Sequence, residues 1–243
     1  MSLYRDEAIV LRTQKLGEAD RIITLLTREH GRIRGVAKGV RRTKSKFGAR
    51  LEPGSHVDIQ LYTGRTFDTV TQVESIFNYG EALTDDYSRW TIAGAILEAA
   101  ERFTSHEHEP ALQEFKLVTG AMKALAEEKY DPSMILDAYL LRSLAVGGYA
   151  PSLTNCSKCD ASGPHRYFSL VGGGLVCADC RPSASATPAP ETLKLMSDLI
   201  SGDWESAMAS ELRNRREANG LIAAYLQWHL ERGLRSLQLV ERA

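Results

Sequence analysis

Four cysteines carry the clearest chemical signal in the sequence. Cys156 and Cys159 form one Cys-x-x-Cys pair, and Cys177 and Cys180 form a second pair after seventeen intervening residues. Each pair presents two sulfurs from one tight turn, a spacing typical of a zinc ion held by four thiolates. Four thiolates complete a tetrahedral shell and leave no place for water or substrate, so we expect one structural zinc ion. Two disulfides or four inert thiols are the alternatives, and they are uncommon in a cytosolic chain with this pairing.

The residues between the two pairs predict a hairpin that brings the two turns together. Apolar runs flank the turn Gly172-Gly173-Gly174, and we assign residues 154–182 to a zinc-ribbon insert. His165 would bind the ion only by displacing a cysteine, so we expect it in a solvated loop. Three cations could offset the negative charge of the thiolates: Lys158, Arg166 and Arg181.

A dense run of positive charge lies between Arg28 and Arg50, where nine basic residues accompany one acidic residue, Glu29. Glycines in this run allow the backbone to approach a bulky partner, and cations with hydroxyl donors suit phosphate oxygens. We predict that it binds the phosphates of a nucleic acid, the alternative being a solvated charged loop. The predicted DNA-binding residues are Arg32, Arg34, Lys38, Arg41, Arg42, Lys44, Lys46 and Arg50.

Aromatic side chains near this run could stack on bases. The candidates are Tyr4, Phe47, Tyr62 and Phe67, although a small barrel more often uses such residues in its core.

Motifs for covalent chemistry are missing from the sequence. The stretch from Gly39 to Ser45 superficially resembles a P-loop but lacks the second glycine, and neither Gly-x-Ser-x-Gly nor His-Glu-x-x-His occurs. His106-Glu107-His108-Glu109 precedes Pro110 at the end of a helical pattern, which favours a plain exposed loop over a metal site. We therefore expect a protein that is not an enzyme.

Five short β-rich runs occupy the first eighty residues. They span residues 7–13, 21–27, 32–37, 56–62 and 66–76, and several alternate apolar with polar side chains. Five strands with one long basic connection fit the oligonucleotide-binding (OB) barrel best, with an SH3-like barrel as the alternative.

After Gly80 the apolar residues recur at helical spacing. Helices are predicted around residues 90–100, 112–125, 193–200, 204–212 and 221–230, with residues 182–190 as a flexible spacer. Asp131 and Pro132 predict a helix start, and Gly147-Gly148 its end. The expected class is α+β, with an OB-fold domain at 1–80 and a helical domain at 81–243 that carries the zinc insert.

Length and composition agree with a folded protein. The 243 residues are 43% hydrophobic, which can supply a core and argues against disorder. The net charge of −1 conceals a basic N-terminal part, with +5 over residues 1–80, and an acidic remainder. The charged N-terminus and the lack of a long apolar stretch predict a soluble, cytoplasmic protein without a membrane segment.

Several stretches together resemble the RecO family of bacterial recombination mediators. They are residues 8–12 and 16–27, the glycine-rich basic stretch 30–53, residues 140–151, the four cysteines, and residues 225–231. The likeness covers essentially the whole chain.

The resemblance implies a protein that binds single- and double-stranded DNA and anneals complementary strands. It further implies that the protein works with RecR to load RecA onto strands coated by single-strand-binding protein, without nucleotide hydrolysis. The basic residues from Arg32 to Arg50 match the family's DNA-binding segment, and the four cysteines match its zinc ligands, which some members lack. A cytoplasmic, nucleoid-associated location in a bacterium is also implied.

Three other functions stay open on the sequence alone. The first is an RNA-binding factor with the same barrel, the second a zinc-dependent hydrolase or nuclease, and the third a protein adaptor whose basic run binds an acidic partner.

Overall fold

The computed structural model describes residues 2–230 and 233–240. Outside these ranges lie Met1, residue Glu231 at the end of the last stretch that resembles the RecO family, and residues 241–243 at the end of the predicted helical domain. The chain begins with five strands and continues with helices, so the predicted α+β class is confirmed. The strands are β1 (Leu3–Leu16), β2 (Asp20–Thr27), β3 (Gly31–Ala37), β4 (Ser55–Tyr62) and β5 (Asp68–Asn78).

These five strands close into a barrel in the order β1-β2-β3-β5-β4, and β4 pairs back onto β1. All neighbours are antiparallel except β3 and β5, which are joined by a short parallel pairing at Gly35 and Val36. This is the five-stranded Greek-key arrangement of an OB fold. The short β3–β5 contact leaves the first half of β3 without a strand partner on that side.

Alternation along the strands fills the barrel. Val57, Ile59 and Leu61 of β4 are fully buried, whereas Asp58 and Gln60 between them are partly exposed. On β3, Gly35 lies so close to Leu61 and Val70 that an added Cβ would stand 3.2 Å from each. A larger residue at that point would displace the core.

The basic connection between β3 and β4 is anchored on the barrel core. Three of its side chains, Val40, Phe47 and Leu51, are buried in the same cluster as the barrel core. A short 3₁₀ helix, Gly48–Leu51, packs its buried Leu51 there. Burial of apolar surface therefore fixes this segment across one end of the barrel, and its cations are displayed from an anchored backbone.

Three helices follow within the same compact unit: α1 (Tyr79–Ala82), α2 (Tyr87–Phe103) and α3 (Leu112–Ala126). The carboxylate of Asp86 accepts a hydrogen bond from the Arg89 amide and caps α2. Helix α2 packs on β1, and α3 packs on β2. Consequently Ile9 and Leu26, a cross-strand pair outside the core cluster, are both fully buried.

A second compact unit begins at Lys129. Its elements are α4 (Pro132–Val146), β6 (Tyr167–Ser169), β7 (Gly174–Val176), α5 (Pro190–Ser201), α6 (Trp204–Met208) and α7 (Leu212–His229). Asp131 caps α4 as predicted, accepting hydrogen bonds from the amides of Ser133 and Met134. The two units divide the chain after Glu128, whereas the hydrophobic period changes near Gly80.

Two local predictions in this unit were wrong. The helix expected over residues 204–212 ends at Met208, because the Ser210 hydroxyl and the Arg215 guanidinium donate to carbonyls of its last turn. The spacer is not free either, because Ala186 exchanges two backbone hydrogen bonds with Phe168 and extends the hairpin. No helix among residues 2–230 and 233–240 has the length and apolar character needed to span a membrane.

Candidate metal centre and nucleic-acid interface

The hairpin β6–β7 brings the four cysteines together, as the spacing predicts. Their Sγ atoms all lie within 4.8 Å of one another, and the Cys159 and Cys177 sulfurs are 3.8 Å apart. A tetrahedral zinc–thiolate site with bonds of about 2.3 Å places its sulfurs about 3.8 Å apart. The four thiols are not joined in disulfides. The cluster can therefore hold one metal ion in a closed four-sulfur shell.

Backbone amides favour the thiolate form of one cysteine of this cluster. Cys156 is buried, and hydrogen bonds from backbone amides, that of Cys177 first, lower the pKa of its thiol to about 6. Amide donors favour the thiolate, which is the form that binds a metal. His165 stands outside the cluster, with its Nε2 atom 2.8 Å from the Ala161 carbonyl oxygen. Arg166 and Arg181 lie against the Tyr167 ring beside the cluster.

The predicted DNA-binding cations fall into two groups. Six of the eight are exposed on the anchored connection: Lys38, Arg41, Arg42, Lys44, Lys46 and Arg50. Arg41 donates to the carbonyl oxygens of Gly17 and Glu18 and so ties the connection to the β1–β2 turn. Lys46 donates to the Thr71 carbonyl oxygen at 2.9 Å. These bonds to neutral carbonyls leave the positive charges uncompensated.

Arg32 and Arg34, the other two, project from β3 toward a carboxylate of the same chain. The Arg34 Nε atom lies 2.5 Å from Oε1 of Glu107, and Nη2 of Arg32 lies 3.7 Å from the same oxygen. Arg32 also donates to the carbonyl oxygens of Ser105 and Glu101. Neither arginine is an open cation, contrary to what the charge run suggests. Glu107 belongs to the motif expected to be a plain exposed loop, yet its side chain is only 25% exposed.

The four candidate aromatic residues differ in how much of each ring is exposed. Phe47 is 2% exposed and belongs to the core. The Tyr4 hydroxyl donates to Asp68, and its ring packs against the core cluster. Tyr62 is 44% exposed, and Phe67 is partly exposed with the Arg34 guanidinium 4.9 Å from its ring centre. Only Tyr62 and Phe67 can therefore present a ring face to a base.

Two exposed cations that were missed from the sequence lie in or beside the hairpin loops of the barrel. In the sheet register, Lys15 of β1 lies opposite Arg21 of β2. Arg21 lies opposite Ala37 of β3, which is next to Lys38. Arg65 lies in the short β4–β5 loop, just before Phe67. OB folds bind oligonucleotides through the β1–β2 and β4–β5 loops. Applied to the predicted strands, that rule could have found both residues, whereas a search for charge runs passes over isolated cations.

The anchored connection and the end of β1 thus form a cationic end of the barrel, and the β4–β5 loop adds Arg65. Eight of these exposed cations have no carboxylate partner within residues 2–230 and 233–240: Lys15, Lys38, Arg41, Arg42, Lys44, Lys46, Arg50 and Arg65. We call these eight residues the open cation set.

Comparisons with known proteins agree along the whole chain. The family description "Recombination protein O N terminal" matches residues 1–79, and "Recombination protein O C terminal" matches residues 84–238. The chain is 59% identical to "DNA repair protein RecO" of Thermobifida fusca and of Streptomyces avermitilis, and 54% identical to that of Frankia casuarinae. Each of these alignments covers the full length of both proteins. A closed OB barrel, a four-cysteine cluster and full-length identity at this level lead to one conclusion: the chain belongs to the RecO family of DNA repair proteins.

Proposed function

We propose that this protein binds DNA strands across the cationic end of its barrel and anneals complementary strands during recombinational repair. The observation that carries the proposal is the open cation set, displayed on two loops and on one anchored segment of an OB fold. Phosphates position a strand through such cations, and ring faces at Tyr62 and Phe67 suit bases of any sequence.

The physical basis of annealing is electrostatic. Two DNA strands repel each other as polyanions, and a cationic surface that holds one strand screens its charge from the other. Encounter becomes more frequent without any bond being formed or broken in the protein. This agrees with a role that requires no ATP hydrolysis and no catalytic residue, so we propose that the protein is not an enzyme.

Family membership supports the further proposals on partners. We expect the protein to bind both single- and double-stranded DNA and to act with RecR. Together they would help RecA load onto strands coated with single-strand-binding protein. RecO relatives carry the name of DNA repair proteins, which agrees with this place in recombination.

For the four-cysteine cluster we propose zinc as the resident ion. A closed tetrahedral shell of four sulfurs suits Zn²⁺ better than Mg²⁺ or Ca²⁺, which require oxygen ligands. Cys156, Cys159, Cys177 and Cys180 would hold it. Its contribution would be folding free energy for the insert, because a closed shell cannot admit a substrate.

The decisive test is annealing of complementary strands that are precoated with single-strand-binding protein, without ATP. We expect the protein to accelerate annealing, and a variant lacking Lys38, Arg42, Lys44 and Lys46 to lose the acceleration. Competition between RNA and DNA of equal length tests the alternative of an RNA-binding factor. If the protein binds neither RNA nor DNA, the proposal is refuted.

A further inference from the structure

The segment between α2 and α3 lies against the start of β3 and joins it through a single backbone bridge. Glu107 forms a parallel bridge with Arg32, and the His108 amide donates to the Arg32 carbonyl oxygen at 2.9 Å. Gly31 makes this approach possible, since a Cβ there would stand 1.7 Å from the Glu109 carbonyl oxygen. The segment therefore fills the edge of β3 that the short β3–β5 pairing leaves open.

The side chain that this segment brings to β3 is an anion between two arginines. The Glu107 carboxylate lies 2.5 Å from Arg34 and 3.7 Å from Arg32, and the Arg34 guanidinium rests over the Phe67 ring. An oxyanion between guanidinium groups beside an aromatic face is the arrangement in which proteins hold a nucleotide's phosphate and base. A carboxylate occupies the phosphate position here.

We infer that Arg34 and Phe67 form a nucleotide-binding subsite that Glu107 occupies in the free protein and yields to a DNA phosphate. This inference rests on the proposed function, since it concerns the same DNA surface. The main chain of the segment is held by its pairing with β3, so only the Glu107 side chain must swing away. Arg32 keeps its bonds to the Ser105 and Glu101 carbonyls and stays a structural residue.

The subsite continues the open cation set along β3. Lys38 directly follows the last residue of β3 and is four residues from Arg34, a separation of at most about 13 Å along the chain. A stacked strand of about four nucleotides covers that length. A strand already held at Lys38 presents its phosphates to Arg34 at high effective concentration, which favours displacement of the carboxylate.

The test compares two isosteric variants of one loop, E107Q and E109Q, in single-strand binding across a salt series. Each removes one negative charge, but the Glu109 carboxylate is 70% exposed, and its one ionic partner among the described residues is His106, at 3.5 Å. In the parent, a phosphate must first displace Glu107, so its contact with Arg34 adds little net affinity and no net neutralisation of charge. That competitor is absent from E107Q. We expect the affinity of this variant at 0.1 M salt to rise about fivefold and its salt slope to steepen by about 0.7, since each single-strand contact contributes that slope.

Two further variants protect the test against a folding defect in E107Q. In the otherwise unchanged protein, R34A should weaken binding by less than the about fivefold gain, because the phosphate contact that it loses is offset by the Glu107 pair that no longer has to be broken. R34A combined with E107Q should abolish the gain. Equal gains in E107Q and E109Q would reduce the effect to overall charge and overturn the inference, as would equal losses from R34A in the parent and in E107Q.

The outcome also separates this inference from the proposed function. Binding by the parent protein with no gain in E107Q refutes the subsite alone. Absence of binding by the parent and by E107Q refutes both.

Discussion

Replacing Lys38, Arg42, Lys44 and Lys46 by alanine should change the salt dependence of single-strand binding by a calculable amount. All four are exposed, and none has a carboxylate partner in the part of the chain that the structure describes. The open cation set has eight members, and each phosphate contact on a single strand contributes about 0.7 to the slope of log affinity against log salt. The parent slope should therefore be about −5.6, and that of the variant about −2.8.

The same count gives the size of the affinity loss. Four contacts at 0.1 M salt correspond to a factor of about 10^2.8, or roughly 600-fold, which is about 4 kcal/mol. Fluorescence anisotropy of a labelled oligonucleotide, titrated at several salt concentrations, measures both quantities. The fold should persist, because the buried anchors of this segment are unchanged.

A control variant separates local contacts from overall charge. The control variant removes the same number of positive charges from exposed positions in or next to helices, by alanine at Arg102, Lys116, Lys123 and Lys129. We expect its slope to stay near the parent value of about −5.6. A steep slope retained by the first variant, or a comparable loss in the control, would refute the placement of DNA at the end of the barrel.

Three further predictions concern stability. Phe47→Ala should lower the free energy of unfolding by about 3–5 kcal/mol in urea titration, since it removes a buried ring from the barrel core; a loss below about 1 kcal/mol would contradict its anchoring role. Metal analysis should find one zinc ion per chain. Cys156→Ser should lose the ion and destabilise the second unit, with DNA affinity largely kept. A metal-free protein with an unchanged free energy of unfolding would exclude a structural role for zinc. Burial lowers the pKa of His229 below its ordinary 6.5, so its contribution to the free energy of unfolding is complete above that pH and is lost as the pH drops toward the folded-state pKa. His229→Phe should remove this pH-dependent loss when the free energy of unfolding is measured from pH 8 to 5. An identical pH profile in the variant would show that another group is responsible.

The metal cluster shows what the local sequence can predict by itself. Cys156 and Cys159 belong to one turn, Cys177 and Cys180 to another, and a short hairpin joins them. All the contacts that assemble the cluster lie within about thirty residues, so spacing alone predicts it. Strand alternation predicted the barrel for a similar reason, because the period of side-chain burial reflects the local backbone.

The state of each cation depended on partners distant in the chain. Arg34 belongs to the same charge run as Lys38, yet Glu107 pairs with Arg34 from seventy-three residues away while Lys38 stays open. Phe47 could equally have faced solvent, and only the closed barrel decided that it would enter the core. The one-dimensional chain thus determined which residue types and elements exist, because these follow from neighbours within a few turns. Folding alone decided which charges are compensated and which rings are covered, because ion pairing and burial depend on residues that only the closed fold brings together.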